Sequence, residues 1–127
     1  ISYMFVGIPG YSAFGRFTGN GSSDGPFIEC GFSPSFVMTK KISNSTGGDW
    51  YVVDSARDTA NPADLELSWH RASTEDGDQG SDHLDFLSNG FKMRSSGAGS
   101  SNESNCTSIY MAFAKNPFAS STPGTAR

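Results

Sequence analysis

Long apolar runs are missing from this 127-residue chain. Nothing approaches the ~20 consecutive apolar residues of a membrane-spanning helix, and no basic-then-apolar leader opens the sequence, so membrane insertion is not expected. Charge is scarce as well, at 17 % of residues, with nine basic side chains against thirteen acidic ones and a net charge of −4. That is the wrong sign for a domain whose affinity would come from neutralising phosphates, so nucleic acid is not an expected partner. Two cysteines, Cys30 and Cys106, do not make the framework of small secreted scaffolds, although a single bridge stays open at this stage. His70 and His83 are the only histidines and have no third histidine or suitably spaced cysteine for a zinc site. Helical periodicity is also lacking, for no twelve-residue stretch free of Gly and Pro repeats its apolar positions at i, i+3, i+4 and i+7.

What is present is aromatic. Ten Phe, four Tyr and two Trp in a chain of low charge are not the composition of a disordered protein, and the length suits one domain over residues 1–127. Short segments rich in aromatic and β-branched residues, bounded by Gly, Pro, Asn or Ser, predict strands at Ser2–Val6, Phe27–Phe32, Phe36–Ile42, Trp50–Asp54, Leu65–Trp69, Leu84–Leu87, Phe91–Arg94 and Ser108–Ala114. About eight short strands with long loops imply an all-β fold, an antiparallel β-sandwich or jelly roll. Ser88-Asn89-Gly90 between two of them predicts a hairpin, with Asn-Gly supplying the positive φ of a tight turn. Gly15–Pro26, with its closely spaced glycines, reads as an ordered loop anchored by Phe14 and Phe17.

Both ends of the chain carry a Tyr-Met pair in an apolar run followed by proline: Tyr3-Met4 before Pro9, and Tyr110-Met111 before Pro117. Coincidence between two strands is one reading of the echo; the other, which the opening on Ile in what reads as mid-strand supports, is that the last strand of an upstream unit became the first residues here.

Charge is unevenly placed: +1 over residues 1–48, −8 over 49–85 and +3 over 86–127. The acidic middle reads first as solvated loop, since like charges that close are not buried together. Within it Asp76, Asp78 and Asp82 alternate as the oxygen ligands of a Ca²⁺ loop do, but Gly80 and Ser81 stand where an EF-hand wants a ligand and a glycine. A weak Ca²⁺ site and a plain acidic surface both fit, and no other cofactor is implied.

Gly21-Ser22-Ser23-Asp24-Gly25 matches the letters of a nucleophile elbow, but the segment leads through Pro26 into a predicted strand, where an elbow needs a helix. The chain is therefore expected to be non-enzymatic. Four Asn-x-Ser/Thr sequons begin at Asn20, Asn44, Asn102 and Asn105 and would carry surface glycans in a secreted eukaryotic protein. Trp50, Tyr51 and Trp69 are the aromatics for a sugar-stacking platform, against the plainer reading that aromatics at strand positions pack in the core. Trp69, followed by His70 and Arg71 and close to the acidic loop, is the leading candidate for ligand contact, with recognition expected from the loops Asn44–Asp49 and Ala60–Asp82.

Four blocks carry a family resemblance: Gly10-Tyr11-Ser12-x-Phe14-Gly15-x-Phe17-Thr18-Gly19-Asn20-Gly21-Ser22-x-Asp24-Gly25-Pro26-Phe27; Gly31-Phe32-x-Pro34-x-Phe36-Val37-Met38-x-Lys40; Asp85-Phe86-Leu87-Ser88-Asn89-Gly90-Phe91-Lys92-x-Arg94; and Ile109-Tyr110-Met111-Ala112-Phe113-Ala114-x-Asn116-Pro117-Phe118. Together they cover about half the chain and resemble an uncharacterised domain that recurs in tail-fibre and other virion proteins of marine and environmental bacteriophages. Phe36 departs from the pattern, where Trp is common, as do Cys30 and Cys106, where small or polar residues are usual. The resemblance implies a virion structural module, a tail-fibre domain or capsid decoration on the particle exterior, often at the C-terminus of a fibre-like chain. It implies other virion proteins as partners and carries no catalytic residues. Homo-oligomerisation and attachment to a host-surface glycan are the further expectations. A lectin-like, carbohydrate-binding module of a secreted cellular protein is the competing reading.

Overall fold

The computed structural model describes residues 1–43, 48–69, 72 and 83–117. Eight strands are present and, among the described residues, no helix: β1 (Ser12–Thr18), β2 (Phe27–Glu29), β3 (Pro34–Lys41), β4 (Trp50–Asp54), β5 (Leu67–Ser68), β6 (Leu84–Phe86), β7 (Gly90–Met93) and β8 (Thr107–Ala114). They form two antiparallel sheets, one of five strands in the order β1-β8-β3-β4-β5 and one of three in the order β2-β7-β6. The fold is an all-β sandwich.

Two sequence expectations change place. Ser2–Val6 lies outside every strand, whereas Ser12–Thr18, within and before the glycine-rich segment, pairs with β8 along its whole length, from Ser12↔Phe113 to Thr18↔Thr107. Glycine density hid β1, because Gly15 at its centre reads as a breaker. Here that glycine makes room for the Tyr110 ring, which a Cβ would meet at 2.8 Å.

Alternation divides the five-stranded sheet into two faces. Phe17 of β1, Val37 of β3, Val53 of β4 and Ala112 of β8 point inward and meet Ile28, Leu84, Phe91 and Met93 of the smaller sheet. Phe91 is fully buried at the centre, with Phe17 and Tyr110 edge-on to it at ring separations of 6.5 and 5.4 Å. Each such side chain removed from water contributes about 1.5–3 kcal/mol before ordering costs.

Beyond the reach of the small sheet the inner face turns polar. Thr39, Lys41 and Ser108 are buried there beneath the β7–β8 connection, whose Ser100, Ser101 and Asn102 are themselves fully buried. Their polar atoms are paired: Ser101 Oγ donates to Thr39 Oγ1 at 2.9 Å, Ser108 Oγ to the Ser101 carbonyl at 2.6 Å, and Lys41 Nζ to Glu103 Oε2 at 2.6 Å. Satisfied in this way, such groups escape the desolvation penalty that excludes polar side chains from cores.

The β6–β7 hairpin is where the sequence places it, but its turn is not the expected one. Leu87 N bonds to the Gly90 carbonyl at 2.9 Å, and neither Asn89 nor Gly90 has a positive φ. Gly90 is needed for proximity instead, since a Cβ there would lie 2.1 Å from the Ile28 carbonyl oxygen across β2–β7. Both cysteines are free thiols.

Candidate functional site

The outer face of the five-stranded sheet carries the remaining aromatic residues. Strand pairing sets Arg16, Ile109, Lys40 and Trp50 in one row across β1, β8, β3 and β4. The β4–β5 register, Val52↔Leu67 and Tyr51↔Ser68, continues by one residue, because Trp69 N donates to the Trp50 carbonyl at 3.2 Å. Trp69 therefore stands opposite Trp50 at the β5 end of the row. It is 64 % exposed, a large apolar surface left in water.

Lys40 completes the group. Its ammonium lies 5.0 Å from the centroid of the Trp50 ring and donates to the Gly48 carbonyl at 2.7 Å. Such a cation–π contact contributes about 0.5–1 kcal/mol at an exposed site and fixes both partners.

Asp54, at the end of β4, and Asp58, in the β4–β5 connection, deliver Trp69 to this place. Asp54 Oδ1 accepts from Ala56 N and Arg57 N at 3.0 and 2.9 Å, its other oxygen pairs with Arg57 Nε, and Arg57 also reaches the Val52 carbonyl. Burial pushes the Asp54 carboxyl up, but the Arg57 hydrogen bonds and charge outweigh it and hold the group below its ordinary value. Asp58 Oδ2 accepts from Asp64 N at 2.8 Å and Leu65 N at 3.4 Å, and the Asp64 bond leads in lowering its pKa against a smaller effect of burial. Asn61 ties the same connection to the small sheet, exchanging two 2.9 Å bonds with the backbone of Phe86.

Beside the row, towards β1, lies an apolar groove of about 340 Å³ whose walls include Phe5, Phe14, Met38, Trp50 and Met111. The arrangement offers the exposed indole of Trp69 and, opposite it on a rigid sheet, the half-buried Trp50 ring with the Lys40 ammonium over one face. Chemically this suits the C–H face of a saccharide ring with a hydroxyl or carboxylate at its rim.

Of the aromatics expected to form a platform, Trp50 and Trp69 share the outer face, while Tyr51 points inward and is buried. His70, Arg71, Asp76, Asp78 and Asp82 lie outside the described residues, as does most of the loop Asn44–Asp49 and the end of Ala60–Asp82. Among the described residues no cluster of three His, Cys, Asp or Glu side chains could hold a metal ion. Sequence reasoning missed Lys40 and Arg16, because only cross-strand register brings them into the row. The elbow-like segment around Ser23 runs between β1 and β2, two strands, so the strand-to-helix turn is not formed there. Of the sequons, Asn20 and Asn105 are exposed and Asn44 lies outside the described residues, whereas Asn102 is fully buried with its amide nitrogen engaged, which removes it as a glycan acceptor in the folded chain.

Residues 1–117 match the family described as Domain of unknown function (DUF7483). The chain belongs to that family. Comparison with curated proteins and with solved structures found no match. The DUF7483 match takes in the whole described sandwich, including the tryptophan row and the groove.

Proposed function

We propose that this DUF7483 domain is a non-enzymatic structural module of a bacteriophage virion, displayed on the particle exterior, which aids attachment by binding a host-surface saccharide through Trp50 and Trp69. The attachment role rests on one observation: an exposed Trp69 opposite Trp50, with Lys40 fixed beside it, on the open face of a sheet. An indole left 64 % exposed forfeits burial energy in the isolated chain and recovers it against a ligand ring. The virion address is supported by the four sequence blocks and their likeness to domains of tail-fibre and other virion proteins. Single sugar contacts are weak, so useful adhesion comes from repeated copies on one particle.

Mass spectrometry of purified particles tests the address. The chain is expected among the stoichiometric virion proteins. Its absence from particles, with a folded secreted form carrying glycans on Asn20 or Asn105, would replace this reading with that of a cellular lectin.

A further inference from the structure

The segment before β1 holds most of the exposed large apolar side chains among the described residues. Ile1, Tyr3, Met4, Phe5 and Val6 range from 62 % exposed at Phe5 to 114 % at Ile1. A chain folding backwards at Ile8–Ser12 would ordinarily lay these residues along β1 as a further strand. Here pairing stops after the single bridge Ile8↔Ser12, and the Val6 carbonyl is engaged by Ser12 Oγ at 3.3 Å. β1 remains at the end of its sheet, a seven-residue edge with no further strand beside it among the described residues. Long open edges of this kind are templates for another chain.

A ring contact between the arm and the outer face shows where it fits. Phe5 stacks on Phe14 with ring centroids 5.4 Å apart, at the mouth of the apolar groove. Behind that pair Phe113 sits edge-on to Phe14 at 6.0 Å, so the surface is already aromatic where an arm would land.

We propose that residues Ser2–Val6 of one copy add to the β1 edge of a second copy, seating Tyr3 and Phe5 over its groove, and that the second copy returns the same contact. In a strand, Tyr3 and Phe5 point to one side, the side that Phe5 already uses. Exchange replaces the intrachain Phe5–Phe14 stack by the same stack between chains, so little is lost while the rest of the arm gains cover, which is the economy of domain swapping. Area is sufficient. Tyr3, Met4, Phe5 and Val6 leave on the order of 600 Å² per arm exposed, and the covered part of two arms, taken with the surfaces that cover it, reaches the ~1,200–2,000 Å² of a stable interface. The contact is isologous and closes as a two-fold dimer, with strand addition supplying hydrogen bonds and the groove supplying specificity.

This dimer does not depend on the saccharide reading. Trp69 lies at the β5 edge, across the sheet from β1.

Sedimentation velocity of the full chain at tens of micromolar tests it. The wild-type chain is expected at twice the monomer mass. Tyr3→Asp and Phe5→Asp on the arm and Phe14→Ala on the receiving surface are expected to weaken dimerisation at least tenfold, while Trp69→Ala stays dimeric. Circular dichroism reports folding, and if Phe14→Ala loses its β spectrum the two arm variants decide. Tyr3 is 82 % exposed and Phe5 62 %, and neither belongs to the sandwich core. A wild-type monomer, or a dimer that survives either arm substitution, overturns the proposal.

Discussion

Asn20 and Asn102, 82 residues apart in sequence, hold each other by reciprocal hydrogen bonds: Asn20 N donates to Asn102 Oδ1 at 3.1 Å, and Asn102 Nδ2 donates to Asn20 Oδ1 at 3.2 Å. The same amide nitrogen, with two N–H groups, lies closer to the carbonyls of Ser22 at 2.8 Å and Ser95 at 2.7 Å, so the longer contact to Asn20 Oδ1 is a shared, three-centre bond. One side chain thus fastens the β1–β2 loop to the β7–β8 connection over the polar half of the interior. Asn102→Ala strands several buried polar groups and is expected to cost about 2–4 kcal/mol in chemical denaturation. Asn102→Asp, similar in size, should be no better tolerated, because its carboxylate faces carbonyl oxygens it cannot donate to. A variant within 0.5 kcal/mol of wild type, roughly the scatter of a neutral surface change, would show that the clasp is held elsewhere.

Gly90→Ala is expected to be more damaging than a usual Gly→Ala change in a strand. Its Cβ would press on the Ile28 carbonyl, which is backbone and has no rotamer to yield. The β2–β7 pairing must then separate where Phe91 packs, at a cost of roughly 1–3 kcal/mol, the range for overpacked cores. A melting temperature equal to wild type would contradict this.

Acid should weaken the Lys41–Glu103 pair under the β7–β8 connection before the apolar core. The hydrogen bond from Lys41, followed by that from Gly99 N, lowers the pKa of Glu103, and Lys92 likewise lowers that of Asp24. A carboxylate with a depressed folded-state pKa contributes stability that is present above its unfolded value, near 4, and is lost as pH falls through the folded value. Melting temperature is therefore expected to hold from neutrality to about pH 5 and to drop below pH 4. Glu103→Gln should flatten that drop. Asp24, with its side chain 80 % exposed, should contribute little and be screened by salt.

Burial, aided by the Glu29 charge, pushes the Cys30 thiol up to about 11, and Cys106 is fully buried. Cys106 is expected to react with a neutral-pH thiol reagent only as fast as the protein opens, and Cys30, half-buried, slowly because little of it is thiolate at that pH. Rapid labelling of Cys106 in the native state would contradict its burial.

Chelation tests the acidic segment containing Asp76, Asp78 and Asp82. EDTA is expected to leave both melting temperature and saccharide binding unchanged, as for a solvated acidic surface. A drop of several degrees, restored by Ca²⁺, would establish a calcium site there.

Much of the sandwich was legible because its strands are short and aromatic: Trp50–Asp54 coincides with β4, and Leu84–Met93 holds the expected hairpin. β1 was not, since local propensity counts Gly15 against a strand and cannot see the Tyr110 ring that requires it. Ser2–Val6 shows the converse, a strand-like pattern that lies outside every strand among the described residues. The site was half legible. Trp69 stands out as a residue, but its pairing with Trp50, the inward turn of Tyr51 and the approach of Lys40 depend on register between segments far apart in sequence. Asn102 looked like a glycan acceptor for the same reason, because a sequon does not reveal burial.

The most direct test is adsorption of the purified wild-type chain, presented multivalently, to host cells or their surface polysaccharide, beside Trp69→Ala and a control, Phe27→Ala, on the opposite sheet. Trp69→Ala is expected to keep the wild-type melting temperature and lose most adsorption, at least tenfold for the ~1.5–3 kcal/mol of burying a large apolar side chain, while Phe27→Ala adsorbs normally. Unchanged adsorption by a folded Trp69→Ala, or no adsorption by the wild-type chain, would contradict it.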